Sequence, residues 1–119
     1  MLEHIHHLEA PASPTIVLLH GYGSNKEDLF GLKPYFKGYN LVCFQAPDAI
    51  GMGGYAWYPI DWDNGAKIID SVEVEFAKNL VLDAITEWTT AHDITGTLIL
   101  GGFSQGAILS TAIYASGYN

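Results

Sequence analysis

Three short runs of apolar and β-branched residues stand out along the chain, at positions 15–19, 41–44 and 97–100. A run of this kind without polar interruptions is typical of a strand that is buried on both faces, as parallel strands are. The stretches between the runs are long enough for helical crossovers. The pattern therefore predicts an α/β fold with a mostly parallel sheet and flanking helices.

Two helices are predicted between these runs. The first begins at a capping box formed by Ser24 and Glu27, and Gly31 and Pro34 keep it short. The second begins at the acidic cap Asp70, and its apolar residues recur every three or four positions over about five turns. We expect this stripe to pack against the sheet; its members are Ile69, Val72, Phe76, Leu80, Val81, Ala84, Ile85 and Trp88.

The segment 47–66 has neither the helical nor the strand period. It is rich in glycine and in aromatic residues, namely Tyr55, Trp57, Tyr58 and Trp62. Loops of this length are usually functional or disordered, and the aromatic content argues against disorder. We therefore expect a structured, functional loop. No repeat, charge block or linker interrupts the chain, so residues 1–119 are expected to form a single domain.

The charge balance excludes several classes of partner. Asp and Glu total 13 against 5 Lys and Arg, which gives a net charge of −8. Such a chain offers nothing to nucleic-acid phosphates or to an anionic membrane surface. The sequence shows no spanning segment and no export signal, and Cys43 has no internal disulfide partner. These features predict a cytoplasmic protein in which Cys43 is a small core residue.

The strongest chemical signal is the sequence Gly102-Phe103-Ser104-Gln105-Gly106, between the third apolar run and a helix-forming stretch. In a nucleophile elbow, a sharp strand-to-helix turn holds the serine in a strained conformation, and glycines flank it where the two backbones crowd together. Ser104 is therefore the candidate nucleophile, and the N–H of Gln105, at the start of the helix, is a candidate oxyanion donor. An ordinary serine in a glycine-bounded turn is the alternative.

A second signal, His20-Gly21-Tyr22-Gly23, follows the first apolar run directly. A glycine-rich turn at the carboxyl end of a parallel strand presents main-chain amides to the crevice where α/β proteins bind ligands. The N–H of Tyr22 is therefore the second candidate oxyanion donor. Alone this motif is only a turn, but with the elbow it predicts an oxyanion hole, in which each donor is typically worth about 3 kcal/mol of activation barrier.

In these motifs the sequence resembles the phospholipase/carboxylesterase family of α/β-hydrolases, which includes bacterial carboxylesterases and acyl-protein thioesterases. The resemblance rests on LLHGYGSNKEDL (18–29), QAPDA (45–49), AWYPID (56–61) and LGGFSQGA (100–107). It implies an α/β-hydrolase fold, Ser104 as nucleophile and the amides of Tyr22 and Gln105 as the oxyanion hole. It also implies that the aromatic segment lies at the acyl site, with Trp57 and Tyr58 as candidate pocket residues. No metal or organic cofactor is implied.

Part of the expected machinery is missing from the sequence. An α/β-hydrolase triad runs in the order Ser, then Asp or Glu, then His, but residues 105–119 contain no acidic residue and no histidine. We expect the chain to be the N-terminal portion of a longer hydrolase, with acid and base outside it. A remainder that is disordered or supplied separately, or a degenerate family member, are the alternatives. The remainder of the fold or a partner chain is then needed to complete the sheet.

The histidines upstream of the elbow are assigned structural roles. His20 is expected to hold the oxyanion turn, because the base lies downstream of the nucleophile in this fold. His92 is expected to interact with the C-terminus of the long helix. His4, His6 and His7 lack partner ligands at metal-binding spacing and predict an early strand instead.

Taken together, these features predict a serine hydrolase of carboxylic esters or thioesters that acts through an acyl-enzyme on Ser104. The net charge of −8 disfavours anionic substrates, so small neutral or zwitterionic esters are expected. The alternative is a non-catalytic α/β module that binds acyl groups or a partner chain, since without its base the chain alone would be nearly inactive. Lactone or peptide cleavage is a third interpretation.

Overall fold

The computed structural model describes residues 2–63 and 65–117. Its strands are β1 (His4–His7), β2 (Thr15–Leu19), β3 (Asn40–Phe44), β4 (Asp48–Gly51), β5 (Gly54–Ala56), β6 (Asp61–Asp63), β7 (Ala66–Ile68) and β8 (Leu98–Gly102). Its α-helices are α1 (Lys26–Phe30), α2 (Ser71–Ala91) and α3 (Gln105–Ala115), and a 3₁₀ helix spans Lys33–Tyr35.

Four strands form the main sheet in the order β1, β3, β2, β8. β2 is parallel to both β3 and β8, and β1 joins β3 antiparallel at the far edge. All three predicted apolar runs are therefore confirmed as parallel strands, although the last begins at Leu98 and continues to Gly102. The early strand predicted for the N-terminal histidines is β1.

Helices cover the sheet on both faces, because alternate residues of β2 and β3 point to opposite sides. Val17, Leu19, Val42 and Phe44 pack in one core cluster with buried residues of α2 and α3. Ile16, Leu41 and Cys43 form the other, with Leu29 and Phe30 of α1 packed against it. Cys43 is buried, which confirms it as a core residue, and this burial raises the pKa of its thiol to about 12.

α1 is short, as predicted, but its cap differs from the prediction. Asn25, not Ser24, is the N-cap, and its side-chain oxygen accepts a hydrogen bond from the Glu27 N–H at 3.1 Å. The Ser24 hydroxyl donates instead to the Asp28 carboxylate at 2.7 Å. Asn and Ser are equally good N-caps, so two adjacent candidates leave the start of a helix undetermined by one residue. Gly31 ends the helix.

α2 begins at its predicted cap, Asp70, which accepts a hydrogen bond from the Val72 N–H at 2.8 Å. The predicted buried stripe is correct only in its second half. Val72 and Phe76 are 73% and 65% exposed, whereas Val81 and Trp88 are fully buried. The buried residues of α2 begin only at Ala77, so the described residues leave its first turns largely uncovered.

The segment predicted as one functional loop is largely two small hairpins. β4 pairs with β5, and β6 pairs with β7, both antiparallel. The first hairpin reverses at Gly51, Met52 and Gly53, which all have positive φ. Two glycines in this turn accept that conformation at no steric cost. The side chain of Trp62 and residue Asn64 lie outside the described part of the chain.

β8 is an edge strand within the described residues, since it pairs with β2 and no other described strand lies beside it. The Tyr114 hydroxyl of α3 accepts from the Leu100 N–H and donates to the Leu100 carbonyl, both at 3.0 Å. It thus occupies one pair of main-chain groups on this strand. Among residues 2–63 and 65–117, no helix has both the length and the apolarity needed to cross a bilayer.

An imidazole and indole cluster joins β1 to the end of α2. The Trp88 indole N–H donates to Nδ1 of His6 at 3.1 Å, and His92 donates from Nδ1 to the Trp88 carbonyl at 2.8 Å. His92 therefore bonds the last turn of α2, as predicted. Burial is the main cause that lowers the pKa of His6, and the neighbouring His4, His92 and His7 lower it further. Nδ1 of His6 must carry no proton in order to accept this hydrogen bond from Trp88.

This cluster predicts a loss of stability in mild acid. The pKa of His6 is lower in the folded than in the unfolded protein. The folding stability that His6 contributes is therefore fully present above its unfolded pKa, and it is lost as the pH falls from that pKa towards the folded one. His6→Gln keeps an acceptor for the indole but does not titrate. Urea unfolding between about pH 7.5 and about pH 5 should show a larger stability loss for the native protein than for His6→Gln. Equal losses in both proteins would contradict the prediction.

Candidate active site

Ser104 lies at the sharp turn between β8 and α3, in the backbone conformation φ 54°, ψ −117°. This conformation is strained for any residue with a Cβ atom, and it persists only where the surroundings impose it. The residue is exposed, and within the described chain its hydroxyl makes no hydrogen bond. The Phe103 N–H donates to the Leu19 carbonyl at 3.1 Å, which ties the turn to the end of β2. The geometry is that expected of a nucleophile elbow.

The two glycines of the elbow lie where three backbones converge. A Cβ atom on Gly102 would be 2.6 Å from the carbonyl carbon of Gly106 and 2.8 Å from the Leu19 carbonyl oxygen. A Cβ on Gly106 would overlap the same Leu19 oxygen and approach the His20 oxygen at 2.6 Å. Backbone atoms cannot move aside as a side chain can. Both positions therefore require glycine for the elbow to form.

The predicted oxyanion turn lies directly against the elbow. It is closed by a hydrogen bond from the Ser24 N–H to the Gly21 carbonyl at 3.1 Å. A Cβ atom on Gly21 would be 3.3 Å from the Cβ of Ser104, so the two motifs are in contact. The N–H groups of Tyr22 and Gln105 make no hydrogen bond with any described residue. Their role as oxyanion donors stays a prediction.

The first hairpin is attached to the oxyanion turn through main-chain atoms. The Gly23 N–H donates to the Tyr55 carbonyl at 2.9 Å, and the Tyr55 N–H donates to the Ser24 carbonyl at 2.8 Å. Gly54 faces the backbone of Gly23 so closely that any Cβ atom would collide with it. The turn is therefore supported on one side by the elbow and on the other by β5.

His20 supports the turn from below, as predicted. The Ala46 N–H donates to its Nε2 at 3.0 Å, so Nε2 carries no proton and Nδ1 donates to the Gly21 carbonyl at 2.8 Å. Burial lowers the pKa of His20, although the Gly21 carbonyl and Asp28 oppose that shift. The ring is held neutral with both nitrogens occupied. It is therefore not available as a base for Ser104.

The aromatic pair Trp57 and Tyr58 lies beneath the site, with both side chains buried. The Trp57 indole N–H donates to the His20 carbonyl at 2.9 Å, and its ring centroid lies 5.3 Å from that of His20. The Tyr58 hydroxyl has no partner among the described residues, and burial raises the pKa of this phenol. Trp57 thus supports the oxyanion turn from its buried position. That either ring lines an acyl pocket remains a prediction.

The side chain of Gln105 has a structural role that sequence reasoning missed. Its Oε1 accepts from the Trp57 main-chain N–H and its Nε2 donates to the Tyr58 carbonyl, both at 2.8 Å. No sequence signal revealed this contact, because it depends on the aromatic segment folding back over the start of α3. The carboxamide joins the elbow to that segment.

The surface beside Ser104 is apolar. Tyr22 is 43% exposed and Phe103 65% exposed, and a Cβ atom on Gly21 would lie 3.3 Å from the Phe103 ring. Ile50 of the first hairpin reaches within 3.9 Å of the position of a Cβ on Gly23. Within the described residues, no three His, Cys, Asp or Glu side chains are grouped as metal ligands. The site therefore combines an exposed hydroxyl and an apolar rim with two main-chain amides that have no acceptor among the described residues.

A mostly parallel sheet with a strained serine between a strand and a helix defines the α/β-hydrolase class, and the comparisons with known proteins agree. The model of the Phospholipase/Carboxylesterase family matches residues 2–117. The chain belongs to that family, which confirms the resemblance in its motifs.

Solved structures show the same fold. The chain superposes on esterase PE8 with a TM-score of 0.73 and 33% identity, covering 94% of this chain and 56% of that one. For acyl-protein thioesterase 2 from Zea mays the TM-score is 0.71 at 23% identity, with 99% and 54% covered. For YahD, solved with malic acid, it is 0.77 at 15% identity, with 98% and 58% covered. The chain thus spans little more than half the length of these structures.

Proposed function

We propose that this chain carries the nucleophile and the oxyanion hole of a hydrolase of carboxylic esters or thioesters. The observation that carries the proposal is the contact between the Ser104 elbow and a turn whose Tyr22 amide is unpartnered within the described residues. A free hydroxyl beside main-chain donors on a second loop is the arrangement that acyl transfer requires. Membership of the Phospholipase/Carboxylesterase family supports the same chemistry.

In the proposed mechanism, the Ser104 oxygen attacks the acyl carbon while a histidine from outside residues 1–119 takes the hydroxyl proton. An acidic residue, also from outside this stretch, orients that histidine. The Tyr22 and Gln105 amides donate to the tetrahedral oxyanion, the alcohol or thiol leaves with the proton, and water then hydrolyses the acyl-enzyme. The exposed apolar side chains of Tyr22 and Phe103 favour contact with an uncharged acyl chain.

A fluorophosphonate probe tests the proposal directly. Applied to the full-length protein, it should modify Ser104 covalently, because an activated serine beside an oxyanion hole attacks the phosphorus centre. Mass spectrometry of the tryptic peptides should place the adduct on the peptide that contains Ser104. A folded full-length protein that stays unmodified, or an adduct on another serine, would overturn the proposal.

The second candidate is a non-catalytic module that binds acyl groups or a partner chain. The open edge of β8 within the described residues favours it, since an edge strand offers main-chain groups to another strand. The same probe separates the two candidates. An interaction module leaves the probe unreacted, whereas a hydrolase consumes it.

A further inference from the structure

Three buried hydrogen bonds connect the elbow to the oxyanion turn through the aromatic segment. Gln105 accepts from the Trp57 N–H and donates to the Tyr58 carbonyl, both at 2.8 Å. The indole of the same Trp57 donates to the His20 carbonyl at 2.9 Å. We call this set the Gln105 bridge. It runs from the residue after Ser104 to the residue that begins the turn bearing Tyr22.

The bridge is enclosed, which makes each of its bonds depend on the others. Gln105, Trp57 and His20 are each only 2% exposed. In such a site, removing one partner leaves another buried polar group without a hydrogen bond, and water cannot replace it. A loosened Gln105 side chain therefore leaves the Trp57 N–H and the Tyr58 carbonyl unpaired and frees the segment that holds His20.

We propose that the Gln105 carboxamide is a positioning group that fixes the two oxyanion amides relative to each other. Its main chain supplies one donor, and its side chain holds Trp57, whose indole holds the start of the turn that supplies the other. The carboxamide itself does not touch substrate. This inference rests on the proposed function of Ser104, because it concerns how that serine's oxyanion hole is kept in place.

The chemistry of the bridge requires one acceptor and one donor on the same side chain. A carboxylate at position 105 can accept from the Trp57 N–H, but it cannot donate, so one of its oxygens would face the Tyr58 carbonyl oxygen with no proton between them. A protonated carboxyl group can do both. Gln105→Glu should therefore restore the bridge as pH falls, whereas Gln105→Met lacks both bonds at every pH.

The titratable groups packed around this side chain do not confuse the test. Nε2 of His20 accepts from the Ala46 N–H and its Nδ1 donates to the Gly21 carbonyl, which favours the neutral ring, and burial lowers the pKa of this imidazole and raises that of the Tyr58 phenol. Any difference in pH dependence between the native protein and Gln105→Glu then reports the new carboxyl group. A residue that only stabilises the fold would lower activity without this pH signature.

The experiment measures the rate of fluorophosphonate labelling of Ser104 in the full-length protein between about pH 5 and about pH 8.5. At the alkaline end, both Gln105 variants should label roughly 10- to 100-fold more slowly than native, the size expected for a donor displaced by about 1 Å. Towards the acidic end, the ratio of Gln105→Glu to native should rise by about tenfold or more, while that of Gln105→Met stays constant.

Each result of this experiment either supports or contradicts the positioning role of Gln105. A native rate for Gln105→Met, or a constant ratio for Gln105→Glu, overturns the positioning role while leaving the hydrolase intact. Failure of the native protein to label overturns the proposed function and the inference with it. If neither Gln105 variant shows the native near-ultraviolet circular dichroism, Trp57→Phe decides, because it opens the bridge at the His20 carbonyl. This variant should label about tenfold more slowly, and a native rate would overturn the inference.

Discussion

Replacing Ser104 by alanine is expected to lower the turnover of a neutral aryl ester by roughly 10⁵- to 10⁶-fold in the full-length protein. The oxygen that would form the acyl bond is lost, whereas the oxyanion turn and the elbow remain. Because alanine keeps the Cβ atom, the strained backbone at position 104 is unchanged and the free energy of unfolding should stay close to native. Ester hydrolysis and urea unfolding, measured on the same preparation, check both halves of the prediction.

Ser116→Ala is the matched control for that experiment. Ser116 lies at the other end of α3, and its hydroxyl donates to the Ile113 carbonyl at 2.7 Å, away from the elbow. Turnover in this variant should stay within about twofold of native, as for most surface changes. If Ser104→Ala kept more than about one per cent of native turnover, the serine could not be the nucleophile of the proposed reaction.

Gly106→Ala is expected to cost roughly 3 kcal/mol or more of folding stability and to abolish labelling of Ser104. The new methyl group would overlap the Leu19 carbonyl, so α3 must move away from the end of β2 and the elbow must open. The same movement would strain the hydrogen bond from the Phe103 N–H to the Leu19 carbonyl. Urea unfolding and probe labelling measure the two effects.

Gly101 offers a control in the same strand. A Cβ atom there would lie 3.7 Å from the Leu18 side chain, an ordinary contact. Gly101→Ala should therefore change stability by less than about 1 kcal/mol and leave labelling intact. Similar losses in both glycine variants would show that crowding at the elbow is not what makes Gly106 necessary.

The sequence was sufficient to predict the strands of the main sheet and the contact between the two motifs. Unbroken apolar runs marked β2 and β3, and the rule that parallel strands end at the same sheet edge placed the turn of Tyr22 beside Ser104. Both inferences use local pattern and chain order only. These are the features that a single sequence states most directly.

Other features depend on dimensions and long-range folding that the sequence does not display. The helical period predicts which residues of α2 share a face, but it does not predict how far along the helix that face is covered, and Val72 and Phe76 are exposed. The hairpins of segment 47–66 have strands of three or four residues, too short for alternation to be recognised. The Gln105 bridge joins residues 48 positions apart in the chain, so local pattern could not predict it.

The attachment of the first hairpin to the oxyanion turn uses only the main chain of Gly23, Ser24 and Tyr55. Such bonds do not depend directly on the other side chains of the hairpin, provided that Gly51, Gly53 and Gly54 are kept. Exchanging residues near its tip, such as Ile50 and the fully exposed Met52, is therefore expected to leave the amides of Tyr22 and Gln105 in place. For the proposed hydrolase, a library varied at positions 50 and 52 is expected to alter chain-length selectivity while the rate of Ser104 labelling stays constant.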